Sequence, residues 1–118
     1  MKYTAGFIGI GNMGGALLSA VCKSAGGKNV AVFDTDINKV QQKALELGVA
    51  SESVESLVKN SRFVFLGVKP NIVASVISDI KEMISKENVV VVVTNEGYVK
   101  RVSSKSYAAS TEDTTLKP

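Results

Sequence analysis

Three glycines, Gly9, Gly11 and Gly14, stand at G-x-G-x-x-G spacing in the run Gly9-Ile10-Gly11-Asn12-Met13-Gly14. The short apolar stretch before them reads as a strand and the residues after them repeat at helical spacing, so the glycines sit in a strand-to-helix turn. Such a turn can seat a diphosphate on bare main chain. Gly9 permits the tight reversal, Gly11 removes the Cβ that would strike a pyrophosphate, and Gly14 lets the helix lie close on its strand. Backbone N–H groups around Asn12 and Met13 would then face the phosphates, backed by the positive end of the helix dipole. The chemistry implied is the holding of a dinucleotide, NAD or NADP. The plainer alternative is a turn that only packs a helix on a sheet.

Asp34 lies twenty residues beyond Gly14 at the end of a second apolar run, the distance at which a carboxylate takes ribose hydroxyls. A carboxylate there favours NAD, whereas Thr35, Asn38 and Lys39 are placed to turn toward a 2′-phosphate if Asp34 points away. Asp34 or Asp36 has a plainer use too, as the cap of the next helix. The chain contains no histidine, which excludes a histidine base, a Ser/His or Cys/His catalytic pair and every histidine metal site. One cysteine excludes structural zinc, and Cys22, among apolar neighbours, reads as a buried inert thiol. No metal site and no catalytic residue is assigned. Glu52, Glu55, Asp79, Glu82 and Glu87 read as solvated helix-surface charges.

The elements that position these residues alternate. A buried strand over Gly6–Ile10 is followed by a helix over Met13–Ser24, stopped by Gly26-Gly27. A strand over Val30–Asp34 leads to a helix with the stripe Ile37, Val40, Ala44 and Leu47, closed by Gly48. A short strand near Val49-Ala50 precedes a brief helix begun by Ser51 or Ser53, and Phe63–Val68 forms the next strand. Pro70 opens a helix with the stripe Ile72, Val73, Val76, Ile77, Ile80, Met83 and Ile84, and five valines, Val89–Val93, form the last strand. Alternating strands and helices predict an α/β fold of Rossmann type, a doubly wound parallel sheet in one domain. Its expected extent is residues 1–97, with 98–118 as a tail or an extra edge strand, poorly packed from Ser103 onward.

With 118 residues there is room for one domain with its own core. A net charge of +3, spread along the chain, does not argue for nucleic acid, and no apolar run reaches the ~18 residues of a membrane span. The stretch from Ala5 to Cys22 resembles a lipoprotein signal only superficially, because Gly6, Gly9, Gly11, Gly14 and Gly15 interrupt it. A lone cysteine points to a reducing compartment, the cytoplasm. The valine strand presents an aggregation-prone edge that calls for a cover, either a strand over Tyr98–Val102 or a second copy of the chain.

Gly6-Phe7-Ile8-Gly9-Ile10-Gly11-Asn12-Met13-Gly14 together with Val64-Phe65-Leu66-Gly67-Val68-Lys69-Pro70 resembles the paired signatures of the pyrroline-5-carboxylate reductase family, over about Lys2 to Val93. The resemblance implies hydride transfer from NAD(P)H to a cyclic imine in proline synthesis, with Val68, Lys69 and Pro70 lining the cofactor beside the glycine turn. It has three departures. Asn95-Glu96-Gly97 stands where the family places Ala-Ala-Gly, Ser53-Val54 stands where it often has Asn, and no counterpart of its helical dimerisation domain follows. Two function classes result. One is the cofactor domain of a reductase, truncated and poorly active alone. The other is a non-enzymatic dinucleotide-binding or regulatory module.

Overall fold

A computed structural model describes residues 1–93, 99–102 and 114–116, the last two segments by their backbone. In chain order the elements are β1 (Tyr3–Ile8), α1 (Asn12–Ala25), β2 (Val30–Phe33), α2 (Ile37–Leu47), β3 (Ala50–Ser51), α3 (Val54–Asn60), β4 (Ser61–Leu66), α4 (Pro70–Ile80), β5 (Val89–Val93), β6 (Val99–Val102) and β7 (Thr114–Leu116). The sheet order is β3-β2-β1-β4-β5-β6-β7. The first five strands pair in parallel, and β6 and β7 are added antiparallel beyond β5. The doubly wound parallel sheet expected from the βα alternation is therefore present, with a mixed extension on one side.

Register brings the strand ends level. Ile8 pairs with Phe33 on one side and Leu66 on the other, and Leu66 pairs with Val92. The turns after β1, β2 and β4 thus leave the sheet at one edge. The order of strands reverses between β1 and β4, which opens a crevice at that edge.

Strand alternation divides the core into two layers. Ala5, Phe7, Val30 and Val32 face α1 and α2, packing on Leu18, Cys22 and Val40. Ile8, Ala31, Val64, Leu66, Val90 and Val92 face α3 and α4, packing on Leu57, Val58, Ile77 and Ile80. Phe7 stacks on Phe65 with ring centroids 4.7 Å apart, tying the two central strands.

The structure shifts several expected boundaries. β1 spans Tyr3–Ile8 rather than Gly6–Ile10, because Tyr3 already pairs with Ser61 and the backbone turns at Gly9. β4 spans Ser61–Leu66 rather than Phe63–Val68, and Gly67 leaves the ladder. α4 ends at Ile80, so Met83 and Ile84 meet the core from the following turn. Ile37, expected on the buried stripe of α2, is 62% exposed, while Val40 on the same helix is buried. Of the segment from Ser103 onward, only Thr114–Leu116 is described, paired with β6; the rest, and the Asn95-Glu96-Gly97 stretch, lie outside the described residues.

Two polar arrangements lock the frame. The buried Asn88 amide donates to the carbonyls of Val58 and Ser61 at 2.8 and 2.7 Å, and its oxygen accepts from the N–H of Ser85 at 2.7 Å. One side chain thereby joins the end of α3, the start of β4 and the turn before β5. The buried Tyr3 hydroxyl donates to Glu52, which also accepts from Ser56. Glu52 is therefore no solvated surface charge, as its sequence context suggests; it is half-buried and bonded to β1.

Candidate functional site

The glycine turn is built by contact of main chain on main chain. Gly9 adopts φ +92°, a left-handed conformation that disfavours any side chain, and a Cβ there would lie 2.8 Å from the Gly67 carbonyl. A Cβ on Gly14 or on Gly67 would come within 2.5 Å of the Gly9 oxygen. Three backbones therefore interlock where β1, α1 and the end of β4 converge. Hydrogen bonds fix the arrangement: Gly9 N–H donates to Phe33 O, and Gly67 N–H donates to Ile8 O, both at 2.8 Å. Gly11 is different. A Cβ there would meet nothing within 4 Å, so this position opens on free space.

Helix starts around the crevice differ from the others. The Asp36 carboxylate caps α2 by accepting from Asn38 and Lys39 N–H, and the Ser53 hydroxyl caps α3 by accepting from Ser56 N–H. α1, with Gly11 at its N-cap, and α4, with Lys69 at its N-cap and Pro70 next, have no side-chain cap among the described residues. Both of these helices start at the crevice between β1 and β4. Among the described residues no side chain caps the first-turn N–H groups of α1, which is the condition for taking up an anion.

The expected site residues are distributed as follows. Ile10 is buried, and its N–H donates to Asp34 Oδ2 at 2.9 Å. Asp34 Oδ1 accepts from the N–H of Asp36, also at 2.9 Å. Asp34 is thus brought to the glycine turn, with one N–H on each oxygen and lone pairs to spare. Val68 is half-buried, its Cγ1 3.0 Å from where a Gly9 Cβ would be, while Lys69 and Pro70 are exposed at the start of α4. Cys22 is buried and its thiol pKa is pushed up by desolvation, as suits an inert thiol.

Gly67 is not among the site residues expected from sequence. Its signal is a glycine closing an otherwise apolar strand, which in a parallel sheet marks a close approach of backbones. A groove of about 460 Å³ between α1 and α2, lined by Gly11, Gly15, Ser19, Lys39, Gln42 and Lys43, is also not foreseeable as a unit.

Residues 4–96 match the family model described as NADP oxidoreductase, coenzyme F420-dependent. The chain belongs to this family. It is an NAD(P)-binding oxidoreductase domain, similar to those of pyrroline-5-carboxylate reductases and imine reductases. The pyrroline-5-carboxylate reductase of Escherichia coli is 32% identical over 94 residues, covering 77% of this chain and 35% of that protein. A stretch of a Bacillus subtilis DNA topoisomerase 4 polypeptide is 30% identical over 95 residues, covering 65% of this chain but only 12% of the topoisomerase, too small a share to carry its activity over. Among solved structures, a pyrroline-5-carboxylate reductase from Coxiella burnetii superposes with a TM-score of 0.65 at 17% identity, covering 88% of this chain and 46% of that one. An imine reductase variant from Myxococcus stipitatus, in complex with NAD+, gives 0.62 at 23% identity, over 80% of this chain and 32% of that one. At such identities the structures show the shared fold.

Proposed function

We propose that this domain holds NADPH or NADH by its pyrophosphate on the main chain of Gly11, Asn12 and Met13, and serves reduction of a cyclic imine of the pyrroline-5-carboxylate type. What supports this is the bare seat. Gly9, Gly14 and Gly67 are packed to backbone contact, while in this turn Gly11 alone faces open space, at an uncapped helix start. The bound dinucleotide supplies the hydride. Asp34 holds the turn through Ile10 and uses its remaining lone pairs on ribose hydroxyls, and Val68, Lys69 and Pro70 line the opposite wall.

Hydride transfer needs the imine held about 3 to 3.5 Å from the nicotinamide carbon. The chain spans about a third of the Escherichia coli reductase it resembles, and we assign the holding of the imine to groups beyond those given roles above. The reading includes a reducing, cytoplasmic setting, residues 1–97 as the binding unit, and the alternative of a binding module without turnover. Dinucleotide binding is expected to be separable from catalysis in these 118 residues.

The test is a fluorescence titration of the purified chain with NADPH and NADH beside Gly11→Asp. Dissociation constants in the micromolar range, about 7 to 8 kcal/mol, are expected for the wild type. Gly11→Asp is expected to retain its circular dichroism spectrum, since its Cβ meets nothing, and to lose binding because a carboxylate enters the diphosphate seat. Equal binding by the variant would contradict the assignment. Reduction of pyrroline-5-carboxylate by the chain would favour the enzyme over the module.

A further inference from the structure

We infer that the sheet edge opposite the glycine turn docks an acidic segment of a partner protein on a row of four cations, Lys28, Lys2, Arg62 and Lys86. One stands at the head of each of four neighbouring strands, β2, β1, β4 and β5. This surface is separate from the proposed dinucleotide site and does not depend on it.

Register sets the four side by side. Val30, Ala5, Phe63 and Val89 form one line across the sheet, and each cation stands one to three residues ahead of its member of that line. With strands about 4.8 Å apart, the row is about 14 Å long. All four side chains are exposed, and none makes an ion pair among the described residues. The Lys2 ammonium lies 5.4 Å from the centroid of the Tyr3 ring and the Arg62 guanidinium 5.7 Å from that of Phe63, contacts that steady both cations at the edge.

Helix chemistry explains other lysines at this edge but not these. Lys23 and Lys59 stand in the last turns of α1 and α3, and Lys81 follows α4, where a cation complements the helix dipole. Lys59 also pairs with Glu55 at 2.8 Å. Strand heads offer a cation no comparable dipole. Like charges on neighbouring strands repel, and acidic groups nearby are few: Glu46 pairs with Lys43 at 3.6 Å, which leaves Glu82 and Glu87 between α4 and β5. The row is a standing positive charge that an acidic partner relieves.

An extended peptide presents every second side chain on one face, so about five residues with carboxylates at alternate positions reach along the row. Nucleic acid fits less well. Single strands stack their bases on open aromatic faces, whereas at this edge Tyr3 is buried and Phe63 is half-buried beside the Arg62 guanidinium. The turns after β1, β2 and β4 leave the sheet at the far edge, so a partner seated here leaves the glycine turn open.

The experiment is fluorescence anisotropy of a labelled decaglutamate peptide with the full chain in about 0.1 M salt, where the screening length is about 10 Å. Saturable binding is expected. Lys2→Gln with Arg62→Gln should weaken it about threefold or more, and these with Lys28→Gln and Lys86→Gln about tenfold or more, with an unchanged circular dichroism spectrum because all four side chains are exposed. Lys23→Gln with Lys81→Gln removes as much charge as the first pair and should change the affinity by less than about twofold. Saturating NADPH should leave the peptide bound. No binding of decaglutamate by the wild type would overturn the inference, as would displacement of the peptide by NADPH. An equal loss in the Lys23 and Lys81 pair would overturn it too, by reducing the effect to net charge, and so would tighter binding of a single-stranded oligothymidylate of matching charge. Binding of decaglutamate without binding of either dinucleotide would overturn the proposed function and leave this surface standing.

Discussion

At the scale of single residues the site is made largely by atoms that are missing. Gly67→Ala places a methyl group within 2.5 Å of Gly9 O, against backbone that cannot swing away. It is expected to cost about 2 kcal/mol or more and to weaken dinucleotide binding as the turn shifts, read by urea melts and by titration. Tyr3 gives a prediction of another kind. Its bond to Glu52, then burial, raise the phenol pKa to about 12, and the same bond holds the Glu52 carboxyl below the ordinary range. The neutral phenol's contribution is complete below pH 10 and is lost as pH rises from about 10 through about 12; that of Glu52 is present above the ordinary carboxylate pKa and is lost as pH falls through its lowered one. Tyr3→Phe should abolish the alkaline slope and reduce the acid one, which Ser56 and Lys2 also support, and the 295 nm difference against wild type should show one phenol ionising near pH 12. The glycine spacing is legible in the sequence because it depends on neighbours along the chain. The two N–H groups on Asp34 and the approach of Gly67 are not, because they depend on β1, β2 and β4 ending level.

At the scale of elements, the punctuation is readable. Gly26, Gly48, Ser53 and Pro70 stand where helices stop or start, since each acts through its own backbone or its own turn. Phase is harder. Period 3.6 predicts an apolar stripe on α2 but not which end of it meets the sheet, and Ile37 projects past the edge while Val40 is covered. Asn88 carries no signal of its buried role, because the carbonyls its amide meets, those of Val58 and Ser61, lie in a distant stretch of chain. Asn88→Ala is expected to destabilise the fold by about 2 to 4 kcal/mol, as two buried carbonyls, of Val58 and Ser61, lose their partner. Chemical denaturation would measure it, and a change within about 0.5 kcal/mol of wild type would contradict the role given to the amide.

Across the whole molecule, the parallel sheet ends in five valines, and β6 covers that edge by pairing Val90–Val93 antiparallel with Val99–Val102. The need for a cover is readable in the valine run, but the choice between a further strand and a second copy is not, because both satisfy the same hydrogen bonds. A chain stopped at residue 94 exposes the ladder, and it is expected to self-associate in sedimentation velocity experiments where the full chain stays smaller. A monomeric truncated chain would show that the edge is protected otherwise. The central position of β1 also bears on birth at the ribosome. Its two neighbours are β2, close along the chain, and β4, whose Leu66 pairs with Ile8 and whose following Gly67 bonds back to it. A nascent polypeptide can therefore lay down the first strand-helix-strand half of the sheet early, but the diphosphate seat lacks its far wall until residue 67 has left the exit tunnel. Cofactor can accelerate only the last stage of folding during synthesis, and stalled chains ending before β4 should emerge unable to retain it.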